Sequence, residues 1–119
     1  MYTELKVIKV QDSEGFDIEQ LRLDILTGKR SLRITTHAQV EAFEDGSLLS
    51  HLRYTLEKGE VIESYPEDNR GLLYADVPTI ALPVHIVVES TPDEGVIITA
   101  YIPDKRMWAL NKRRRIRKK

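Results

Sequence analysis

The sequence predicts an α+β fold: N-terminal helices, including a helical hairpin, packed on one face of a four-stranded antiparallel sheet. Three observations carry this. The hydrophobic period changes from 3.6 to 2 near Glu60. The four apolar runs that follow are joined by short links rich in Pro, Gly, Asp and Asn, as in an antiparallel meander. The chain has 119 residues, enough for one self-sufficient core and little more. A single domain is expected over residues 1–110, followed by a basic tail at 111–119.

The first ten residues alternate weakly and suggest a short edge strand or an ordered lead-in. In DIEQLRLDILTG, Asp17 and Gln20 form a capping box, Ile18, Leu21 and Ile25 share a stripe, and Gly28 is a C-terminal stop. This predicts a helix over 17–27. A second capping box, Thr36-His37-Ala38-Gln39, opens a short helix to about Glu44, and Asp45-Gly46 breaks it. Ser47 is expected to cap a third helix whose buried stripe is Leu48, Leu49, Leu52 and Leu56, ended by Gly59. The strand candidates are 61–65, 72–77, 84–89 and 96–102, with Pro66 to Gly71, Pro78 to Pro83 and Thr91 to Gly95 as connections.

There is no cysteine, which excludes disulfides and thiolate metal sites. No run has the length of a membrane span and the first residues lack a secretory core, so a cytoplasmic protein without membrane contact is expected. The net charge of −1 conceals a division. Nine of the 18 basic residues lie between Lys105 and Lys119, where there is no acid, so residues 1–104 carry about −10. A cationic tail of this density attracts phosphate backbones; otherwise it is a solubilising end or folds onto the acidic body. Arg106, Trp108, Lys112, Arg113, Arg114 and Arg115 are the nucleic-acid-binding candidates.

The last hairpin holds the main candidate site. In VHIVVE, residues Val84, Ile86 and Val88 share one face, leaving His85 on the other; in VIITAYI, Val96, Ile98, Ala100 and Ile102 share a face opposite Tyr101. A register slip of one residue would turn every side chain over, so His85 must pair with an odd-numbered residue. Pairing Ser90 with Val96 puts His85 opposite Tyr101, and a slip of two puts it opposite Thr99. Either way the two are neighbours on the face turned away from the helices, a solvated face in this reading. An imidazole beside a phenol suits proton transfer in phosphodiester cleavage, although two surface residues would look the same.

Four blocks occur in order: TTHAQVE at 35–41, LEKGEVIESYPED at 56–68, PVHIVV at 83–88 and ITAYIPDKRMW at 98–108. They resemble an uncharacterised bacterial and plasmid-borne domain family of unknown function, over about residues 34–108. Its members are similar in layout to RelE-type and BrnT-type toxins. The resemblance implies metal-independent RNA cleavage without a cofactor, with RNA as substrate and an antitoxin-like protein as partner. His37, His85, Tyr101 and Trp108 coincide with the family pattern, as do Glu60, Tyr65, Pro66 and Asp68. His37, His85 and Tyr101 are therefore the catalytic candidates, with His37 also readable as a residue of the helix start. Where members carry Arg, this chain has Glu41, one turn from His37; a carboxylate there repels phosphate and leaves Arg53, Arg106 or the tail to supply a cation. His51 matches no block and receives no role. Glu60, Glu63, Glu67 and Asp68 read as a solvated acidic edge rather than a metal site.

Two functions follow from these readings. One is a RelE-like ribonuclease or toxin relative with His85 and Tyr101 as acid/base pair. The other is a non-catalytic module that binds nucleic acid or protein through its basic tail.

Overall fold

A computed structural model describes residues 16–104 and, as backbone, Trp108–Ala109 and Arg114–Arg115. The lead-in expected at residues 1–10 lies outside the described residues. The elements are α1 (Ile18–Thr27), β1 (Ser31–Ile34), α2 (Thr36–Glu44), α3 (Leu49–Lys58), β2 (Glu60–Tyr65), a 3₁₀ turn (Pro66–Asp68), β3 (Arg70–Val77), β4 (Leu82–Ser90) and β5 (Glu94–Tyr101). Two short strands, β6 (Trp108–Ala109) and β7 (Arg114–Arg115), pair with each other.

The α+β class holds, but the sheet is five-stranded and mixed, in the order β1-β5-β4-β3-β2. The strand absent from the expected meander is β1. It pairs parallel to β5, from Ser31 opposite Glu94 to Ile34 opposite Ile97, while the other strands form antiparallel neighbours. Only four residues long and wedged between a helix stop and a helix cap, β1 gives a weak signal in sequence.

α1 starts as expected: the Asp17 side chain accepts from the Gln20 N–H, and Gly28 closes the helix at φ +84°. The cap of α2 is Thr35 rather than Thr36, and its hydroxyl accepts from the Ala38 N–H at 3.1 Å. α3 departs from its expected stripe. Leu48 and Leu49 are exposed, and the buried residues are His51, Leu52, Thr55 and Leu56. The helix begins after Leu48, not with Ser47 as cap. The Leu48 N–H donates to His51 Nδ1 at 2.9 Å, so an imidazole takes the role a Glu or Gln has in a capping box. Thr55 is tolerated inside because its hydroxyl donates to the His51 carbonyl one turn back. Ser47 is also buried, and its Oγ has no hydrogen-bond partner among the described residues.

α1 and α3 cover one sheet face. Leu21, Leu52 and Leu56 pack there with Leu73, Val84, Ile86, Val88, Ile97 and Ala100. Two glycines admit this approach: a Cβ on Gly95 would lie 3.0 Å from Leu21, and one on Gly71 would lie 2.4 Å from the Phe16 ring. α2 lies against β5, where it continues the sheet edge. Among the described residues no helix is long and apolar enough to cross a membrane.

Candidate functional site

The β4–β5 hairpin pairs Ser90 with Gly95, not Val96, yet His85 stands opposite Tyr101, one of the two partners that parity allows. A bulge reconciles the two. Val88 pairs with Ile97 and Val87 with Thr99, so Ile98 is an extra residue on β5. The expected face of Val96, Ile98, Ala100 and Ile102 is therefore broken: Ile97 and Ala100 enter the helix-side core.

His85 Nδ1 lies 3.3 Å from the Tyr101 hydroxyl, with the rings tilted at a centroid distance of 5.2 Å. On the other flank Tyr74 of β3 meets the His85 ring edge-on at 5.7 Å and donates its hydroxyl to Asp76 at 2.8 Å. Strand pairing extends the row outward to Glu60 of β2, opposite Tyr74. Glu60, Tyr74, His85 and Tyr101 thus cross four strands in one line. The expectation of a solvated face fails at its centre: His85 is 0% and Tyr74 3% exposed, whereas Tyr101 is half-buried. A fully buried imidazole is tolerated because ring contacts and hydrogen bonds replace its water.

α2 completes the site at the β5 edge. β1 covers β5 only to Ile97; Thr35 then bonds the Ile97 and Ile98 carbonyls, and the carboxylates of Glu41 and Asp45 accept the N–H groups of Ala100 and Ile102 at 3.1 and 3.0 Å. The spacings match. Four residues of helix rise about 6 Å and two residues of strand about 6.7 Å, so acids four apart on α2 meet alternate amides of β5. The same Glu41 oxygen accepts from the Thr99 hydroxyl and lies 3.3 Å from His37 Nε2. Thr99 and Tyr101 share a strand face, about 7 Å apart. The His37–Glu41–Thr99 chain therefore stands beside the His85–Tyr101 pair, with the His37 side chain 68% exposed.

Of the three catalytic candidates, His85 and Tyr101 are in contact, and His37 reaches Glu41, which bonds Thr99 two residues before Tyr101 on β5. The other assignments divide. Arg53 sits on α3, on the helix side of the sheet, and is not part of this site. Trp108 pairs with Arg115 and Ala109 with Arg114 through backbone. Arg106, Lys112 and Arg113 lie outside the described residues. Among the described residues no three His, Asp or Glu side chains are grouped to hold a metal ion. The Tyr65 hydroxyl donates to the Glu63 carboxylate on the acidic edge.

Sequence reasoning missed Tyr74, Asp76 and Thr99, and read Glu41 only as a departure. The parity that found Tyr101 also places Tyr74 beside His85, once β3 is paired with β4. For Glu41 the available signal was the four-residue spacing to Asp45.

An α+β domain with a His–Tyr row on the second sheet face and a His–carboxylate pair at its edge is the class these features define. Residues 34–102, more than half of the chain, match the domain-of-unknown-function family DUF4258, and the chain belongs to that family. The match ends before Trp108 and leaves out α1. No curated protein and no solved structure matches the chain.

Proposed function

We propose that the protein is a metal-independent ribonuclease related to RelE-type toxins, whose proton-transfer groups are Tyr101 and His37. The carrying observation is the arrangement at the end of β5: an exposed imidazole set by a carboxylate, and a half-buried phenol backed by His85 Nδ1 at 3.3 Å. Cleavage by the ribose 2′-OH needs a base for that hydroxyl and an acid for the departing 5′-oxygen. His37 removes the 2′-OH proton as oxygen attacks the adjacent phosphorus. Tyr101 donates its proton as the P–O5′ bond breaks, leaving a cyclic phosphate. His85, wholly buried, does not touch RNA; it positions the phenol, and the phenolate left after cleavage takes its proton back from water as His37 releases its own. Arg106 or the tail supplies the cation for the phosphorane.

The test is cleavage of single-stranded RNA by purified protein in excess EDTA. Tyr101→Phe and His37→Gln are each expected to slow it about 100-fold or more, the scale of one general acid or base. Cleavage unchanged in both variants overturns the assignment.

The division of charge favours a second reading, a non-catalytic module that holds nucleic acid through its tail. Absence of cleavage by the wild-type chain, together with salt-sensitive RNA binding that is lost when residues 111–119 are deleted, selects it.

A further inference from the structure

On the helix side of the sheet, α1 and α3 leave a cleft of about 330 Å³, lined by Ile25 and Leu26 of α1, Leu32 of β1, and Arg53, Leu56 and Lys58 of α3. Its walls are fixed from within. Arg22 of α1 donates to the Leu56 carbonyl at 2.7 Å and to the Gly59 carbonyl, which ties α1 to the end of α3. Asp17 caps α1 at the other end. α1 lies outside the family match, so one wall of this cleft is built by residues the family domain does not include.

We propose that the cleft docks an acidic peptide segment of a protein partner, with an apolar side chain seated on Leu26, Leu32 and Leu56 and carboxylates meeting Arg53 and Lys58. The chemistry of the rim selects the sign. Residues 1–104 carry about −10, yet Arg22, Arg53 and Lys58 gather here, with Glu57 in the lining and Glu19 paired to Arg22. Arg22 is engaged with the two carbonyls and Glu19, whereas Arg53 and Lys58 hold no ion pair among the described residues. An acidic segment is attracted to this rim and repelled by the surrounding body.

The extent of the apolar surface selects a peptide over a small ligand. Leu26 is 82% exposed and Leu23, one turn earlier, 51% exposed. Residues three apart on a helix are surface neighbours, so these leucines continue the apolar strip past the cleft mouth. A ligand confined to 330 Å³ would leave them wet, while a peptide crossing the mouth covers them.

The experiment pans a displayed library of short random peptides against the full chain, then measures one recovered peptide by fluorescence anisotropy. Recovered peptides are expected to place Asp or Glu beside Leu, Ile or Phe. The double variant Arg53→Glu with Lys58→Glu should weaken binding about tenfold or more at low salt. Leu26→Glu should weaken it to a similar degree. The three substituted side chains are exposed, and circular dichroism checks that the variants stay folded. Peptides without acidic bias, or binding indifferent to the rim substitutions, overturn the proposal. So does self-association by light scattering that Leu26→Glu abolishes, which makes a second copy the occupant. None of these results bears on RNA cleavage, whose groups lie on the opposite sheet face.

Discussion

The two faces of the sheet are dry for different reasons. On the helix side, Ile86 is 0% exposed among Leu52, Leu56 and Leu73 and needs nothing beyond shape and area. One residue earlier on the same strand, His85 is also 0% exposed, yet it lies between Tyr74 and Tyr101 with the Tyr101 hydroxyl 3.3 Å from its Nδ1. Equal burial thus covers unequal chemistry. The aliphatic face holds the fold through contact that any well-shaped apolar residue could supply. The polar face keeps a row of groups that must each be bonded, which fixes their orientation more narrowly than packing does.

The largest effect separates the faces by stability alone. Ile86→Ala opens a cavity at the centre of the helix-side core and is expected to cost about 3 kcal/mol, measured by urea unfolding. RNA cleavage per folded molecule should not change. A loss of activity exceeding the unfolded fraction would break the comparison, because it would show the faces acting as one unit.

Glu41 tests the seam between the faces. Glu41→Ala leaves the Ala100 N–H and the Thr99 hydroxyl without their acceptor at a part-buried edge. The expected cost is about 2 kcal/mol. Glu41→Gln retains an acceptor oxygen and should recover much of it in the same urea titration. If Ala and Gln cost the same, a neutral acceptor does not suffice and the charge of the carboxylate is what closes the β5 edge.

Tyr101→Phe is the counterpart of Ile86→Ala on the polar face. The ring remains and one hydroxyl is lost, so stability should fall by only about 1 kcal/mol. Cleavage should fall far more. A stability loss near that of Ile86→Ala would mean that the hydroxyl serves to hold the fold rather than to move a proton.

Much of this contrast was legible in sequence, and the failures have physical causes. Parity needs only alternation, so it narrowed the partner of His85 to Tyr101 or Thr99 and made Tyr101 a neighbour in either case. Burial of His85 was not legible, because alternation assigns a residue to a face without saying whether that face is covered. The bulge at Ile98 was hidden for a related reason: VIITAY is apolar on both parities, so Ile97 and Ile98 could not be ranked as inward. In α3 the four leucines suggested a stripe, but His51 Nδ1 and the Thr55 hydroxyl find partners at the helix start and within the helix, and these residues take the inner positions while Leu48 and Leu49 stay outside. The four-residue spacing of Glu41 and Asp45 marks two acids on one helix face, but it does not say that they serve backbone amides of a strand more than fifty residues away.

The smallest effect lies at the rim of the helix face, where polar contacts fasten α1 to the β4–β5 turn. Asp24 receives Gln20 Nε2 at 2.8 Å and Arg30 Nε at 2.9 Å, and Arg30 continues to Ser90 Oγ and the Thr91 carbonyl. The Gln20 hydrogen bond holds the Asp24 carboxyl below its ordinary 3.8; burial opposes it, and the hydrogen bond and charge of Arg30, with the charge of Lys29, add to the lowering. A carboxyl lowered in the folded state stabilises it above the ordinary value, and that contribution is lost as pH falls through the lowered one. The urea midpoint of Asp24→Asn should therefore lie below wild type by a constant margin from pH 7 to about pH 5, and the gap should narrow below about pH 4. A gap that persists undiminished into acid would assign the contact to the neutral hydrogen bonds. The rim would then resemble the polar face, held by hydrogen-bond geometry, rather than an ion pair added to the aliphatic one.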